Sequence, residues 1–202
     1  MHVDLSELSP NQRYGLLTQV VIPRPIAWIL SENKDASFNL APFSYFNVLA
    51  SEPPMIVVSI GLKSPGVPKD SRVNIEERKD FVVHIAHQEQ LSQMNQSAGG
   101  FAANESEVKA LGIELCDMAG SRLPRIADSR LAFSCSFSES KAINDLLLLF
   151  AEVKHVFVDD SVIGEDAKGR LKVHADKVAP IGRLGGGEYV GFGQILKAQR
   201  PV

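Results

Sequence analysis

Two stretches of the chain combine residue types that could hold a ligand. The first is Asn39-Leu40-Ala41-Pro42-Phe43-Ser44-Tyr45-Phe46-Asn47. Phe43, Tyr45 and Phe46 alternate with small polar groups, and Pro42 interrupts strand pairing because it has no amide to donate. The neighbouring amides are expected to lack regular ladder partners and to be open to a ligand. An edge strand packing its aromatics into the core accounts for the same residues equally well. The second stretch is Pro65-Gly66-Val67-Pro68-Lys69-Asp70-Ser71-Arg72-Val73-Asn74. A turn there is expected to deliver Lys69, Ser71 and Arg72 to the start of a short helix. Free N–H groups, the positive dipole end, a hydroxyl and two cations would converge on an anion. Asp70 repels an anion, so its expected job is to cap the helix and orient Lys69 or Arg72. An ordinary capped helix with solvated charges is the plainer alternative.

Other familiar chemistry fails on its own terms. Gly61-Leu62-Lys63-Ser64-Pro65-Gly66 has the glycine spacing of a phosphate loop, but Val67 and Pro68 stand where Lys and Ser/Thr are required. Gly185-Gly186-Gly187-Glu188-Tyr189-Val190 misses the last glycine of the dinucleotide fingerprint, and too little chain follows it for a βαβ unit. Neither a GxSxG elbow nor an HExxH helix occurs. His2, His84, His87, His155 and His174 are dispersed, and His84 and His87 read as structural rather than metal-binding. Cys116 and Cys135 form no metal-spaced or disulfide pattern. Three single residues stay in view as ligand contacts. Arg183 is a candidate cation or an ordinary salt-bridge partner, His155 a candidate contact or a satisfied core histidine, and Trp28 a core tryptophan by preference.

Stepping outward from these residues, 202 residues suit a single domain, with no linker that would divide positions 1–202. The 45% hydrophobic content allows a packed core, and a formal charge of −3 with no basic run argues against nucleic-acid binding. A secretory leader and a membrane-spanning run are both missing from the sequence, which reads as soluble and cytoplasmic. Strands are expected at Ile26–Leu30, Met55–Ile60, Phe81–Ala86, Leu131–Phe137 and Leu146–Val158. Several are continuous apolar runs, expected to be buried on both faces. Near its end, Val153, His155 and Phe157 should share one face of the last strand. Helices are expected within Leu5–Leu17 behind a Ser9-Pro10 cap, at Ser71–Arg78, at Gln88–Asn95 and at Glu105–Leu111, with Gly112 as the stop. Asn95–Asn104 reads as a mobile loop. The pattern predicts a mainly β fold, an antiparallel barrel with accessory helices.

An aromatic and amide shelf beside a separate anion site suits a flat ring system with a phosphate tail, and flavin mononucleotide (FMN) is such a ligand. Pro23-Arg24-Pro25-Ile26-Ala27-Trp28, Asn39 to Asn47, Glu52-Pro53-Pro54-Met55, Lys69-Asp70-Ser71 with Asn74-Ile75, and Arg183-Leu184-Gly185-Gly186 together resemble the flavin reductase-like family, the FMN-binding split β-barrels that include flavoredoxin. The match in order and spacing runs from about Leu5 to Tyr189.

The resemblance implies a homodimeric split barrel with FMN at or near the subunit interface. It implies an isoalloxazine edge on Asn39, Ala41, Pro42, Phe43, Ser44, Tyr45 and Phe46, and a phosphate near Lys69, Asp70 and Ser71. Arg24, Asn74, His155 and Arg183 complete the candidate contacts. Ser71 stands where the family more often has Thr, and Ser97–Ser106 departs from the family's loop. Because flavin chemistry belongs to the cofactor, no protein nucleophile or metal is required. The expected activity is that of an NAD(P)H:flavin reductase, passing hydride from NADH or NADPH to flavin N5. A flavoredoxin-like electron carrier with a protein redox partner, or a non-redox flavin-binding protein, is the alternative.

Overall fold

The computed structural model describes residues 1–198 and 201. Seven strands form one antiparallel sheet: β1 Ala27–Glu32, β2 Phe38–Phe43, β3 Phe46–Ser51, β4 Pro54–Ile60, β5 Asp80–His84, β6 Leu131–Ile143 and β7 Leu146–Val158. Their spatial order is β2-β1-β5-β6-β7-β4-β3, so β2 and β3, joined by the Ser44-Tyr45 corner, lie at the two edges. This is the mainly β architecture the patterning predicts.

The sheet separates two buried clusters. Ala27, Ile29, Phe43, Phe46, Val58, Phe81, Val83 and Leu149 fill one side. Trp28, Leu30, Leu40, Val82, Met94, Ile126 and Ala132 fill the other, beneath the chain between 91 and 126, while Ile75 joins the first. The central strands β1 and β5 therefore carry apolar residues at consecutive positions, as expected for burial on both faces. Strand β4 differs: Ile56, Val58 and Ile60 are buried, while Met55, Val57 and Ser59 are half-exposed, so only one face is covered.

Strand β7 corrects the expected grouping of Val153, His155 and Phe157. A register shift between Ser134 and Cys135 leaves Lys154 unpaired as a bulge. Val153 packs against one cluster and Phe157 against the other. One extra residue reverses the facing of everything beyond it.

Helix α1 (Pro10–Val20) starts where Ser9 and Gln12 cap each other: Gln12 Oε1 accepts from the Ser9 amide at 2.9 Å, Ser9 Oγ from the Gln12 amide at 3.4 Å. It runs to Val20 rather than Leu17, and Leu5–Glu7 forms a separate 3₁₀ turn. Helix α2 is Asp70–Arg78, α3 is Leu91–Gln96 and α4 is Glu107–Ala110, the last capped by Ser106. Gly112 stops α4 as expected, at φ 61°, a left-handed conformation that costs glycine least.

His84 ties the two layers together. Its Nδ1 lies 3.1 Å from the Trp28 carbonyl, and its Nε2 accepts from the Ile126 amide at 3.0 Å. Both ring nitrogens are used and the ring is fully buried, which makes it a structural histidine, as expected. Trp28 is likewise core: it is wholly buried, edge-on to His84.

Candidate functional site

The helix start and the edge strand meet at a cavity of about 230 Å³, walled by Asn39, Ala41, Pro42, Lys69, Asp70 and Ser71 among others. Lys69 is the N-cap of α2, and no side chain caps the helix. This corrects the expected capping role of Asp70. Its carboxylate instead pairs with Lys63 at 2.8 Å, across from the short strand Leu62–Ser64. Arg72 is taken by Glu76 at 3.2 Å, so it contributes no charge to the cavity.

Lys69 is different. It is half-buried, with Nζ 5.4 Å from the centre of the Phe43 ring, and has no anionic partner among the described residues. Burial, with Lys63 nearby, pulls its pKa below the ordinary lysine value. Ser71 is buried beside it, and its Oγ accepts from Asn39 Nδ2 at 2.8 Å, which leaves the hydroxyl proton to donate elsewhere. Asn74 stands behind this group. Its Nδ2 donates to Asn33 Oδ1 at 2.8 Å and lies 3.3 Å from Ser31 Oγ, so it anchors α2 to β1 rather than facing the cavity.

Strand β2 explains Pro42. The Leu40 amide donates to Glu107 Oε2 at 2.9 Å and therefore points away from β1. Amide direction alternates along an antiparallel strand, so Pro42 falls at the next outward position, where the β1 ladder needs no donor. It pairs with Trp28 in register, within an unbroken β2. The expectation that Pro42 frees its neighbours is thus corrected: the amides of Ala41 and Phe43 turn toward β1.

A second cavity of about 190 Å³ adjoins the first, sharing Pro42 and Ala98. Phe43, Ser44, Tyr14, Tyr189 and Arg183 stand around it. Arg183 lies 4.4 Å from the centre of the Tyr189 ring and donates to the Gly186 carbonyl, while Tyr189 Oη donates to Asn95 Oδ1 at 2.9 Å. The short pairing of Gly182–Arg183 with Tyr189–Val190 holds this corner. A Cβ on Gly182 would stand 2.9 Å from Pro23 Cβ, so the chain needs glycine there to close up.

Together the cavities make a groove, cationic at one end and aromatic at the other. It gathers Asn39, Ala41, Pro42, Phe43, Ser44, Lys69, Asp70, Ser71 and Arg183. Besides Asn74, four other sequence candidates stand outside it within one chain. Arg24 is buried and committed to the Thr18, Val21 and Leu184 carbonyls, with Ser44 Oγ 3.4 Å from its Nε; it fastens the end of α1 to the corner after β2. Tyr45 faces α1, 6.4 Å from the Tyr14 ring. Phe46 belongs to the core. His155 is exposed on β7 against Gly120 and reaches neither cavity; it is not the core histidine of the plainer expectation either.

Sequence reasoning missed Lys63 and Glu107 in the cavity wall. Lys63 lies in the glycine-spaced segment rejected as a phosphate loop, and Glu107 opens a helix with no motif around it. The 95–104 segment, expected to be mobile throughout, is pinned at its start: buried Ser97 accepts from Trp28 Nε1 at 2.9 Å and donates to the Met94 carbonyl at 2.8 Å.

The flavin reductase like domain model matches residues 20–177. The chain belongs to the flavin reductase-like family. An Aquifex aeolicus protein is 31% identical over 195 residues, covering 96% of this chain and 97% of that one. The Bacillus subtilis protein YwrF is 30% identical, covering 96% of each. Among solved structures, nitrilotriacetate monooxygenase component B from Bacillus cereus superposes with a TM-score of 0.88 at 29% identity, covering 98% of both chains. The 2-nitrobenzoate 2-nitroreductase NbaA from Pseudomonas fluorescens gives a TM-score of 0.88 at 30% identity, covering 100% of this chain and 96% of the other. The family's fold is the split barrel, and a putative flavin reductase with a split barrel domain from Shewanella frigidimarina shares it with a TM-score of 0.82 at 18% identity over the whole of both chains.

Proposed function

We propose that this member of the family is an FMN-dependent oxidoreductase whose bound flavin is reduced by NADH or NADPH. The observation that carries the reading is Lys69: a half-buried cation with no anionic partner among the described residues, at one end of a groove whose other end is aromatic. A phosphate beside it restores the charge balance that burial disturbs. The Ser71 hydroxyl, held by Asn39, would donate to the same oxygen cluster; the Arg72 and Val73 amides are already bonded to the Lys69 carbonyl, so the Asp70 and Ser71 amides are the ones at the helix start that could join it.

Bound FMN supplies the capacity to accept a hydride and pass electrons on. The residues of the chain bind and orient. Pro42 and Phe43 would supply the wall against which a flavin ring is held, Ser44 is fixed by Arg24, and Arg183 would place a positive charge near the aromatic end. Neither cysteine takes part. Cys135 is buried, and burial raises its thiol far above the range in which a thiolate forms. Anaerobic stopped-flow absorbance at the oxidised flavin band tests the activity. Bleaching within milliseconds to seconds by one or both nucleotides is expected, and unchanged turnover in Cys116→Ser and Cys135→Ser. If dithionite bleaches the flavin while neither nucleotide does over many minutes, the reductase reading fails and an electron carrier replaces it.

The same reading includes a homodimer. The apolar run Leu146 to Phe150 offers little surface for such contact: Leu147 and Leu149 are buried, Leu148 and Phe150 partly so. Exposed apolar side chains lie instead on α1 and β3, with Tyr14 at 64%, Val20 at 62% and Val48 at 70% exposure. Leu17 of α1 and Val21 just after it line one groove with Phe46 at the start of β3. A second copy laid on this face covers a patch that a monomer would leave in water. Light scattering should give twice the 22.0 kDa chain mass, and Leu17→Asp with Val48→Asp should give monomers with weakened FMN binding. A wild-type monomer with full FMN affinity would overturn the dimer.

A further inference from the structure

Glu107 sits in the wall of the cavity that holds Lys69 and Ser71, and the flavin reading leaves it without a part. It is 5% exposed, and among the described residues it makes no ion pair. One oxygen, Oε2, accepts the outward amide of Leu40 at 2.9 Å. A glutamine would hold that amide equally well through its side-chain carbonyl, so the charge of Glu107 is what calls for an explanation. The charged groups around it belong to several elements. Lys63 lies on the short strand, Asp70 and Lys69 at the start of α2, Lys109 on its own helix, and Glu105 just before that helix, its carboxylate accepting the Ala102 amide at 2.9 Å. Lys63 is already neutralised by Asp70 at 2.8 Å, so among the described residues the cavity is left with Lys69 as an unpaired cation and Glu107 as a buried carboxyl.

We propose that Glu107 makes retention of a phosphate in this cavity conditional on a proton, a step that rests on the flavin reading and adds a release device to it. Ionised, Glu107 shares the cavity with the phosphate and opposes it; protonated, it is neutral and leaves Lys69 and Ser71 to hold the anion. Burial already pushes this carboxyl above the ordinary range, against the pull of the Leu40 amide. A phosphate brought alongside pushes further in the same direction. Binding FMN therefore draws a proton onto Glu107, and losing that proton loosens FMN.

The test compares dissociation constants for FMN and riboflavin in the wild type and in Glu107→Gln, at about pH 5.5 and about pH 8.5, by flavin fluorescence at constant ionic strength. Phosphate itself gains charge near pH 6, but it does so in both proteins, so the ratio of wild-type to variant dissociation constants isolates Glu107. For FMN that ratio should be near one at the lower pH and roughly tenfold at the higher, with riboflavin near one throughout. Ser106→Ala serves as the control. It removes the 2.6 Å bond from Ser106 to the Phe38 carbonyl, the neighbouring tie between α4 and β2, without altering charge. A merely structural role for Glu107, which glutamine fills equally well, predicts no pH-dependent difference between the wild type and Glu107→Gln and at most a pH-independent loss in Ser106→Ala, and that result overturns the proposal. A flat FMN ratio in Glu107→Gln with tight wild-type FMN binding also overturns it while sparing the flavin reading. Equal wild-type affinity for FMN and riboflavin removes the phosphate site itself.

Discussion

Lys69→Ala weakens FMN binding by roughly ten- to a hundredfold and leaves riboflavin binding almost unchanged. The size follows from the ~1.5–3 kcal/mol typical of a hydrogen bond to a charged group. Two features place Lys69 toward the upper part of that range. It is half-buried before any ligand arrives, so much of its dehydration is already part of the folded state. No neighbour can replace it, since Lys63 is held by Asp70 and Arg72 by Glu76. The unliganded variant should be at least as stable as the wild type, because an uncompensated cation has been removed from a partly buried position. Fluorescence titration with both flavins and a thermal melt of the apoprotein check the two halves. Unaltered FMN affinity would reduce Lys69 to a solvated charge at a helix start.

Acid should destabilise the fold through His84 well before the carboxylates are exhausted. The buried ring keeps its pKa near 4, against 6.5 for an ordinary histidine, and burial is the main cause. Between those values the unfolded chain takes up a proton that the folded chain refuses. The contribution is therefore complete above about pH 6.5 and falls away as the pH drops toward 4, amounting to roughly 3 kcal/mol over the interval. His84→Gln removes this pH-dependent component. It also disturbs the bonds to the Trp28 carbonyl and the Ile126 amide, at roughly 1–3 kcal/mol for each buried group left unpaired. Urea unfolding midpoints at neutral pH and near pH 4.5 separate the two effects. The variant should be weaker at neutral pH and lose less on acidification. Parallel pH profiles in the two proteins would exclude His84 as the source.

Strand positions in the centre of the sheet were legible because burial on both faces writes itself as an uninterrupted apolar run. Ile29-Leu30 and Phe81-Val82-Val83 are such runs, and β1 and β5 form there. The edge strand β3 was not, since Asn47, Val48 and Leu49 are exposed and follow neither periodicity. The bulge in β7 was equally hidden: a single extra residue leaves composition untouched and is set by pairing with β6. At the site, Lys69 and Ser71 could be found because a turn followed by a short polar helix limits where they can point. Asp70 and Arg24 could not be assigned correctly, since their partners lie elsewhere in the chain: Lys63 for one, and the carbonyls at the end of α1 and at Leu184 for the other. Glu107 gave no local signal at all. It reaches the cavity through a contact with Leu40, 67 residues away in sequence.

The outer margin of β2 has a bearing on what this protein does when crowded. Ser106 occupies the Phe38 carbonyl, Glu107 the Leu40 amide, and Pro42 has no hydrogen to give. Three of the attachment points that a stray extended peptide would need are already closed. The opposite margin, β3, is thrown out of register between Val48 and Ala50. A foreign strand therefore finds an interrupted template on either side, which disfavours fibril-like stacking while the apolar side chains stay exposed. Copies of this chain that meet are thereby steered to side-chain contact rather than to extension of one another's sheet.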